Sequence, residues 1–259
     1  MNAGIYISVP YCRQKCTYCN FASAARPMSE LPRYLAALEM EIASCRELWR
    51  QAGLPLLGAG AVDSIYMGGG TPGLLTGAQM VSLLGVVRRT FAVTPDAEIT
   101  IEASPENVTT ESAAAWSACG IHRVSLGVQS MVTRELRAVG RMHDGATVAR
   151  AFGFLRDAKI KNISVDLIAG LPHKTCESWE ETLNAVLALA PPHISVYMLE
   201  IDEDSRLGGE LLAGGARYGA AAVPPEEQVV EFYTAAIEGL AAAGLPQYEI
   251  SNFARPGAE

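Results

Sequence analysis

Six short runs of β-branched and aromatic residues, each followed by a stretch of helical pattern, restrict the fold open to this chain more than any other feature. The runs fall at 5–9, 64–67, 98–102, 123–128, 163–168 and 194–199, and patterns rich in Ala and Leu occupy about 32–51, 76–91, 109–118, 147–158 and 178–189. Repeated strand–helix alternation builds βαβ units, whose crossovers make neighbouring strands run parallel. Thr76, Thr109 and Asp144 stand where helix N-caps are expected, because their side-chain oxygens accept first-turn amide hydrogens. Gly120 follows a helical stretch as a C-cap glycine does. Six units are too few for a closed eight-stranded barrel and suit an open, partial (β/α)6 barrel of the α/β class. The stretch 208–225, GGELLAGGARYGAAAVPP, is dominated by Gly and Ala and reads as a linker. A last helix over about 226–243 and a short run at 248–253 follow it. The expected organisation is a barrel over 1–207, then a linker and the beginning of an accessory region over 208–259.

Hydrophobic residues make up 49% of the 259, enough to bury a large core. The formal net charge is −8 and no Lys/Arg block occurs, which argues against sequence-independent nucleic-acid binding. No apolar run approaches the ~20 residues that span a bilayer. The opening residues, MNAGIYISVPYC, lack the basic, apolar and cleavage regions of a signal peptide. Six cysteines, three of them within eight residues, do not resemble a secreted disulfide framework. A cytoplasmic chain with reduced thiols is expected.

Those three are Cys12, Cys16 and Cys19, directly after the first strand. Thiolates are soft ligands for iron–sulfur clusters or for zinc. A structural zinc site wants four ligands, and no His lies nearby to complete one. Three thiolates on a four-iron cube instead leave one iron open to a chelating substrate. Gly68–Gly69–Gly70–Thr71–Pro72 closes the second strand, where backbone without Cβ atoms can approach a ligand and offer main-chain groups to an amino or carboxylate group. Later strand ends carry Glu102, Gln129 with Ser130, Asp166, and Tyr197 with Leu199. Carboxyl ends of parallel barrel strands face one common site, so these residues are expected to share it with the thiolates. Asp144 reads as a cap rather than a catalytic acid. His143 stands beside the expected site, where a structural role is favoured over a tetrapyrrole contact, whereas His122 and His193 begin strands, at the opposite end.

The ordered set YISVPYCRQKCTYCNF, YMGGGTPGLL, TIEASPENVT, HRVSLGVQSM, GRMH, SVDLIAGLP, HISVYMLEI and YEISNFARPG resembles the radical-SAM family of oxygen-independent coproporphyrinogen III oxidases, in particular its heme-chaperone branch. The resemblance covers nearly the whole chain. It implies a partial (β/α)6 barrel, a [4Fe–4S] cluster on Cys12, Cys16 and Cys19, and S-adenosylmethionine bound among Tyr6, Gly69, Gly70, Thr71, Glu102, Gln129, Arg141 and Asp166. Arg141 would pair with the methionine carboxylate, the glycine run would receive the amino group, and Tyr18 would lie near the adenine.

Two roles go with this resemblance. An oxidase decarboxylates coproporphyrinogen III through a 5′-deoxyadenosyl radical, fed by an electron donor. A chaperone binds heme as cargo and passes it to a recipient hemoprotein. Oxidases of the family carry a further Cys two residues past the third and a long N-terminal extension; here Phe21 holds that position and eleven residues precede Cys12. Both departures favour the chaperone. Family members also continue beyond YEISNFARPG into an HNxxYW segment associated with heme binding. The chain is therefore expected to be truncated, with its last helix and strand run weakly anchored.

Overall fold

The computed structural model describes residues 3–53 and 61–259. Six strands, β1 (Ala3–Val9), β2 (Val62–Gly69), β3 (Val93–Ala103), β4 (Arg123–Gln129), β5 (Asn162–Ala169) and β6 (His193–Met198), lie side by side in chain order. Each pairs in parallel with the next, so every strand expected from the sequence is present in an open, partial barrel. Two further strands, β7 (Gln247–Glu249) and β8 (Asn252–Ala254), extend the same sheet, β8 pairing antiparallel with β6.

Period-two alternation explains both faces of the sheet. Outward residues such as Met67, Ile101, Val124, Leu126, Val165 and Val196 are buried under the helices. Those helices are α1 (Leu31–Gln51), α2 (Gly77–Thr90), α3 (Thr110–Ala118), α4 (Thr133–Ala138), α5 (Gly145–Asp157), α6 (Cys176–Ala188), α7 (Arg206–Leu212) and α8 (Glu226–Ala242). The residues between them on the strands, including Tyr66, Thr100, Glu102, Ser125, Asp166 and Ser195, are polar and form the inner row. Capping follows the sequence signals. Thr76 accepts from the Gln79 amide, Thr109 from Ser112 and Asp144 from Thr147, while Gly120 leaves α3 at φ 84°. No helix among the described residues is long and apolar enough to cross a membrane.

The region after β6 departs from expectation. The Gly/Ala-rich stretch holds most of α7 and a short 3-10 turn (Arg217–Ala222), and Ala220, with Leu207 just before the stretch, is buried against Val139, Ile168 and Leu171. Gly208 is present for close approach rather than flexibility: a Cβ there would stand 2.1 Å from the Asp202 carbonyl oxygen. The last helix is not weakly held either. Phe232, Ala236 and Leu240 of α8 enter the main core, and Trp179 donates from Nε1 to the Phe232 carbonyl at 2.6 Å. Residues 208–259 thus share one sheet and one core with the barrel.

A short helix missed by the sequence reading, α4, is fixed by a buried ion pair. Glu135 accepts from Lys174 Nζ at 2.6 Å, from Ser130 at 2.6 Å and from Ser178 at 2.5 Å, and the ammonium sits 4.8 Å over the Trp179 ring. Such a pair is tolerated inside a protein only when further hydrogen bonds complete it, as here. It explains why Ser130, expected at the site, instead points into this network. The chain leaving α4 then delivers Arg141.

Candidate functional site

The loop leaving β1 carries Cys12, Cys16 and Cys19 over the C-terminal ends of the strands. Regular structure within it is a two-residue ladder, Tyr11–Cys12 with Ala24–Ala25. Lys15 closes it from inside, donating to the Phe21 and Ser23 carbonyls, each at 3.0 Å. All three thiols line a cavity of about 810 Å³. Gly69, Gly70, Thr71, Glu102, Gln129, Arg141, Asp166 and Tyr18 line it as well, so the structure brings together residues from four strand ends and two loops. Tyr6 is not in that wall; it is 60% exposed at the open edge and stacks on Tyr66 at 5.8 Å between ring centroids.

The glycine run is shaped by what crosses it. A Cβ on Gly70 would come within 2.7 Å of the Val9 carbonyl and 2.8 Å of Tyr11 backbone atoms. Its amide donates to Val9 at 3.0 Å, and that of Thr71 to Tyr11 at 2.8 Å. With these donors used, the turn is left to offer carbonyl oxygens, which suit an ammonium group and not a carboxylate. Thr71 also donates its hydroxyl to Cys12 Sγ at 3.6 Å.

Arg141 is enclosed between the cluster of thiols and the strand ends. Its Nη1 stands 3.7 Å from Cys16 Sγ, its Nη2 donates to the Gly127 carbonyl, and its Nε is buried without a partner. Glu106, on the cavity wall, is pulled up by burial but held below the usual carboxylate range by His143 and by Arg141. His143 is itself buried, with Nε2 2.9 Å from the Val128 carbonyl and Nδ1 3.4 Å from Glu106. It stands against Glu106 and is not in the cavity wall, in keeping with a structural role.

Two further carboxylates form the floor. Burial raises Glu102, while the Tyr66 hydroxyl, donating at 3.0 Å, and the Gly69 amide draw it back. Asp166 is pushed up to about 7, first by burial, with Ser125 opposing through bonds of 2.8 and 3.0 Å and the Glu102 charge adding. Gln129 enters the same space from left-handed backbone, φ 67°, at a register irregularity between β4 and β5. Non-glycine residues held there cost roughly 1–3 kcal/mol and concentrate at ligand sites. Tyr66, Ser125 and Glu106 were not identified from the sequence. Tyr66 and Ser125 follow from inner-row alternation; nothing local marks Glu106.

The residues fit an iron–sulfur cube with one open position. The donor set is three thiolates on one loop facing a cavity, beside an unpartnered buried guanidinium nitrogen. Among the described residues no three His, Cys, Asp or Glu side chains gather as the ligands of a single ion would. Thiolates of a cube bind different irons and need not converge in that way.

Known proteins resemble this chain over nearly its whole length. The family profile described as "Radical SAM superfamily" matches residues 6–186. The chain is 36% identical over 259 residues to a Synechocystis sp. protein named "Heme chaperone HemW", covering 99% of this chain and 60% of that one. It is 32% identical to "Radical S-adenosyl methionine domain-containing protein 1, mitochondrial" of Bos taurus, covering 99% and 55%. The solved structure of coproporphyrinogen III oxidase (HemN) from Escherichia coli superposes with a TM-score of 0.86 at 28% identity, over 99% of this chain and 56% of that one. The chain therefore spans about 60% of the length of the curated relatives it matches.

Proposed function

Because this chain belongs to the radical SAM superfamily, we propose that Cys12, Cys16 and Cys19 hold a [4Fe–4S] cluster and that the adjoining cavity takes S-adenosylmethionine. When bound and reduced, the cluster supplies the electron for reductive cleavage of that sulfonium. The observation that carries the reading is the single cavity shared by three thiolates, Arg141 and the Glu102–Asp166 floor. Carbonyls of the Gly69–Thr71 turn would accept from the methionine ammonium, and Arg141 would meet its carboxylate through the unpartnered Nε. Glu102, Gln129 and Asp166 would bond ribose hydroxyls and adenine, with Tyr18 against the ring. Tyr6 contributes by bracing Tyr66, not by direct contact.

For the whole protein we favour a heme chaperone that takes heme as cargo and delivers it to a hemoprotein. Six free cysteines suit a reducing cytoplasm, and an electron donor would serve the cluster. Support comes from the relatives bearing that name and from Phe21, which lines the cavity mouth where oxidases of the family have a Cys. The alternative is oxidative decarboxylation of coproporphyrinogen III. The test incubates reconstituted, reduced protein with excess S-adenosylmethionine and, separately, heme or coproporphyrinogen III. A retained Soret band with no decarboxylated porphyrinogen by mass spectrometry supports the chaperone. Multiple turnovers of decarboxylation would reverse the choice.

A further inference from the structure

The cysteine loop has almost no secondary structure of its own, so something outside it must set the spacing of its thiols. The structure shows what does. Both main-chain groups of Thr17, midway between Cys16 and Cys19, are engaged: its amide donates to the Val139 carbonyl at 3.1 Å, and its carbonyl accepts from the Leu207 amide at 2.8 Å. Two residues earlier in the loop, the Lys15 carbonyl accepts from Arg206. Beyond Cys19, Asn20 donates to Asp202 at 2.8 Å and to Glu200 at 3.4 Å. The donors and acceptors Glu200, Asp202, Arg206 and Leu207 all belong to one segment, the one leading into α7.

That segment is rigid enough to act as a template. Ser205 caps α7 by accepting from the Gly208 amide at 2.9 Å, and Asp202 accepts from the Asp204 amide at 2.8 Å. The Arg206 guanidinium is held from its other side 5.4 Å over the Tyr218 ring. Tyr18, next to Thr17, packs into the apolar cluster that α7 shares with Val139, Ile168 and Leu171. The bracing segment, 200–207, lies beyond residue 186, where the match to the family profile ends.

We propose that Arg206 and Asp202 are positioning residues for the cysteine loop, holding Cys16 and Cys19 in ligand-ready places before the cluster arrives. The proposal rests on the cluster reading above for its consequence, but its structural half does not need the cluster. A loop ordered in advance loses less conformational freedom on ligation, so the cluster is retained more tightly. Hydrogen bonding and solvent exposure at the thiolates also set a cluster's reduction potential, so a slackened loop changes that as well.

The test has two arms. In cluster-free protein, Arg206→Ala should raise amide exchange at residues 15–20 about tenfold, the scale of one lost hydrogen bond to a charged group. Arg206→Lys, which keeps a cation within reach of the same carbonyl, should restore most of the protection. In reconstituted protein, Arg206→Ala should lose iron to a chelator about tenfold faster and show an altered electron paramagnetic resonance line shape, again rescued by Lys. Asp202→Ala, which removes the acceptor of Asn20 and of the Asp204 amide but leaves the Arg206 contact in place, serves if Arg206→Ala does not fold and should give the same direction in both arms. Unchanged exchange in these variants overturns the brace. A parent chain that assembles no cluster overturns the cluster reading only, and the exchange comparison still decides on the brace.

Discussion

Replacing Asp166 by Asn should stabilise the cluster-free protein at alkaline pH and far less at acid pH. Asp166 is raised from its ordinary 3.8 to about 7 in the fold, mainly by burial. The folded state therefore binds one more proton than the unfolded state throughout that window. Stability from this group is fully present below pH 3.8 and is lost as pH rises through 7. Each pH unit within the window is worth about 1.4 kcal/mol, so between pH 5 and pH 8 the parent should lose roughly 3 kcal/mol through Asp166 alone. Asparagine has the same shape and still accepts from Ser125, but its amino group needs a new partner, at a cost of about 1 kcal/mol. Net stabilisation of about 3 kcal/mol is expected at pH 8 and of under about 1 kcal/mol at pH 5. Urea unfolding of both proteins at the two pH values measures this directly. Stability profiles that run parallel for parent and Asp166→Asn would refute the reasoning, because the charge would then not be destabilised by its surroundings. The same change should weaken S-adenosylmethionine binding, since a cationic sulfonium favours the ionised floor.

Arg141→Ala should weaken S-adenosylmethionine binding by ~1.5–3 kcal/mol, the range for hydrogen bonds to charged groups, while leaving cluster content unchanged; equal affinity in calorimetry would remove Arg141 from the ligand contacts. Lys174→Ala strands the Glu135 carboxylate in the core and should cost about 3–5 kcal/mol in denaturant unfolding, with a loss under 1 kcal/mol counting against a buried ion pair. Gly70→Ala forces a Cβ against the Val9 carbonyl and Tyr11 backbone and should destabilise by about 1–3 kcal/mol, whereas a neutral result would mean that this crossing is loose.

The barrel was legible because its strands combine β-branched outer residues with polar inner ones and because Thr76, Thr109 and Asp144 announce their helices. The strand-end residues followed from one geometric rule, and the structure brings Glu102, Gln129, Asp166 and Arg141 to a common cavity. Tyr66 and Ser125 were readable in principle, each two residues before a glycine on the same inner row. What sequence logic could not supply was distance. Glycine permits both flexibility and contact, and Gly208 in α7 serves contact, so a stretch read as a linker is packed against the barrel. His143 stands beside Met142 and Arg141, which line the cavity, and takes the structural role favoured for it, against Val128 and Glu106. For polar residues near a site, neighbours across the fold decide the role.

The central claim, that three thiolates and one cavity form a cluster site with an open iron for S-adenosylmethionine, is tested most directly by electron paramagnetic resonance of the anaerobically reconstituted, reduced protein. The parent should carry about four irons per chain and show a reduced-cluster signal that changes when S-adenosylmethionine is added, while Cys16→Ala should lose most of its iron. A full-strength cluster signal that S-adenosylmethionine leaves untouched, or equal iron in parent and Cys16→Ala, would contradict it.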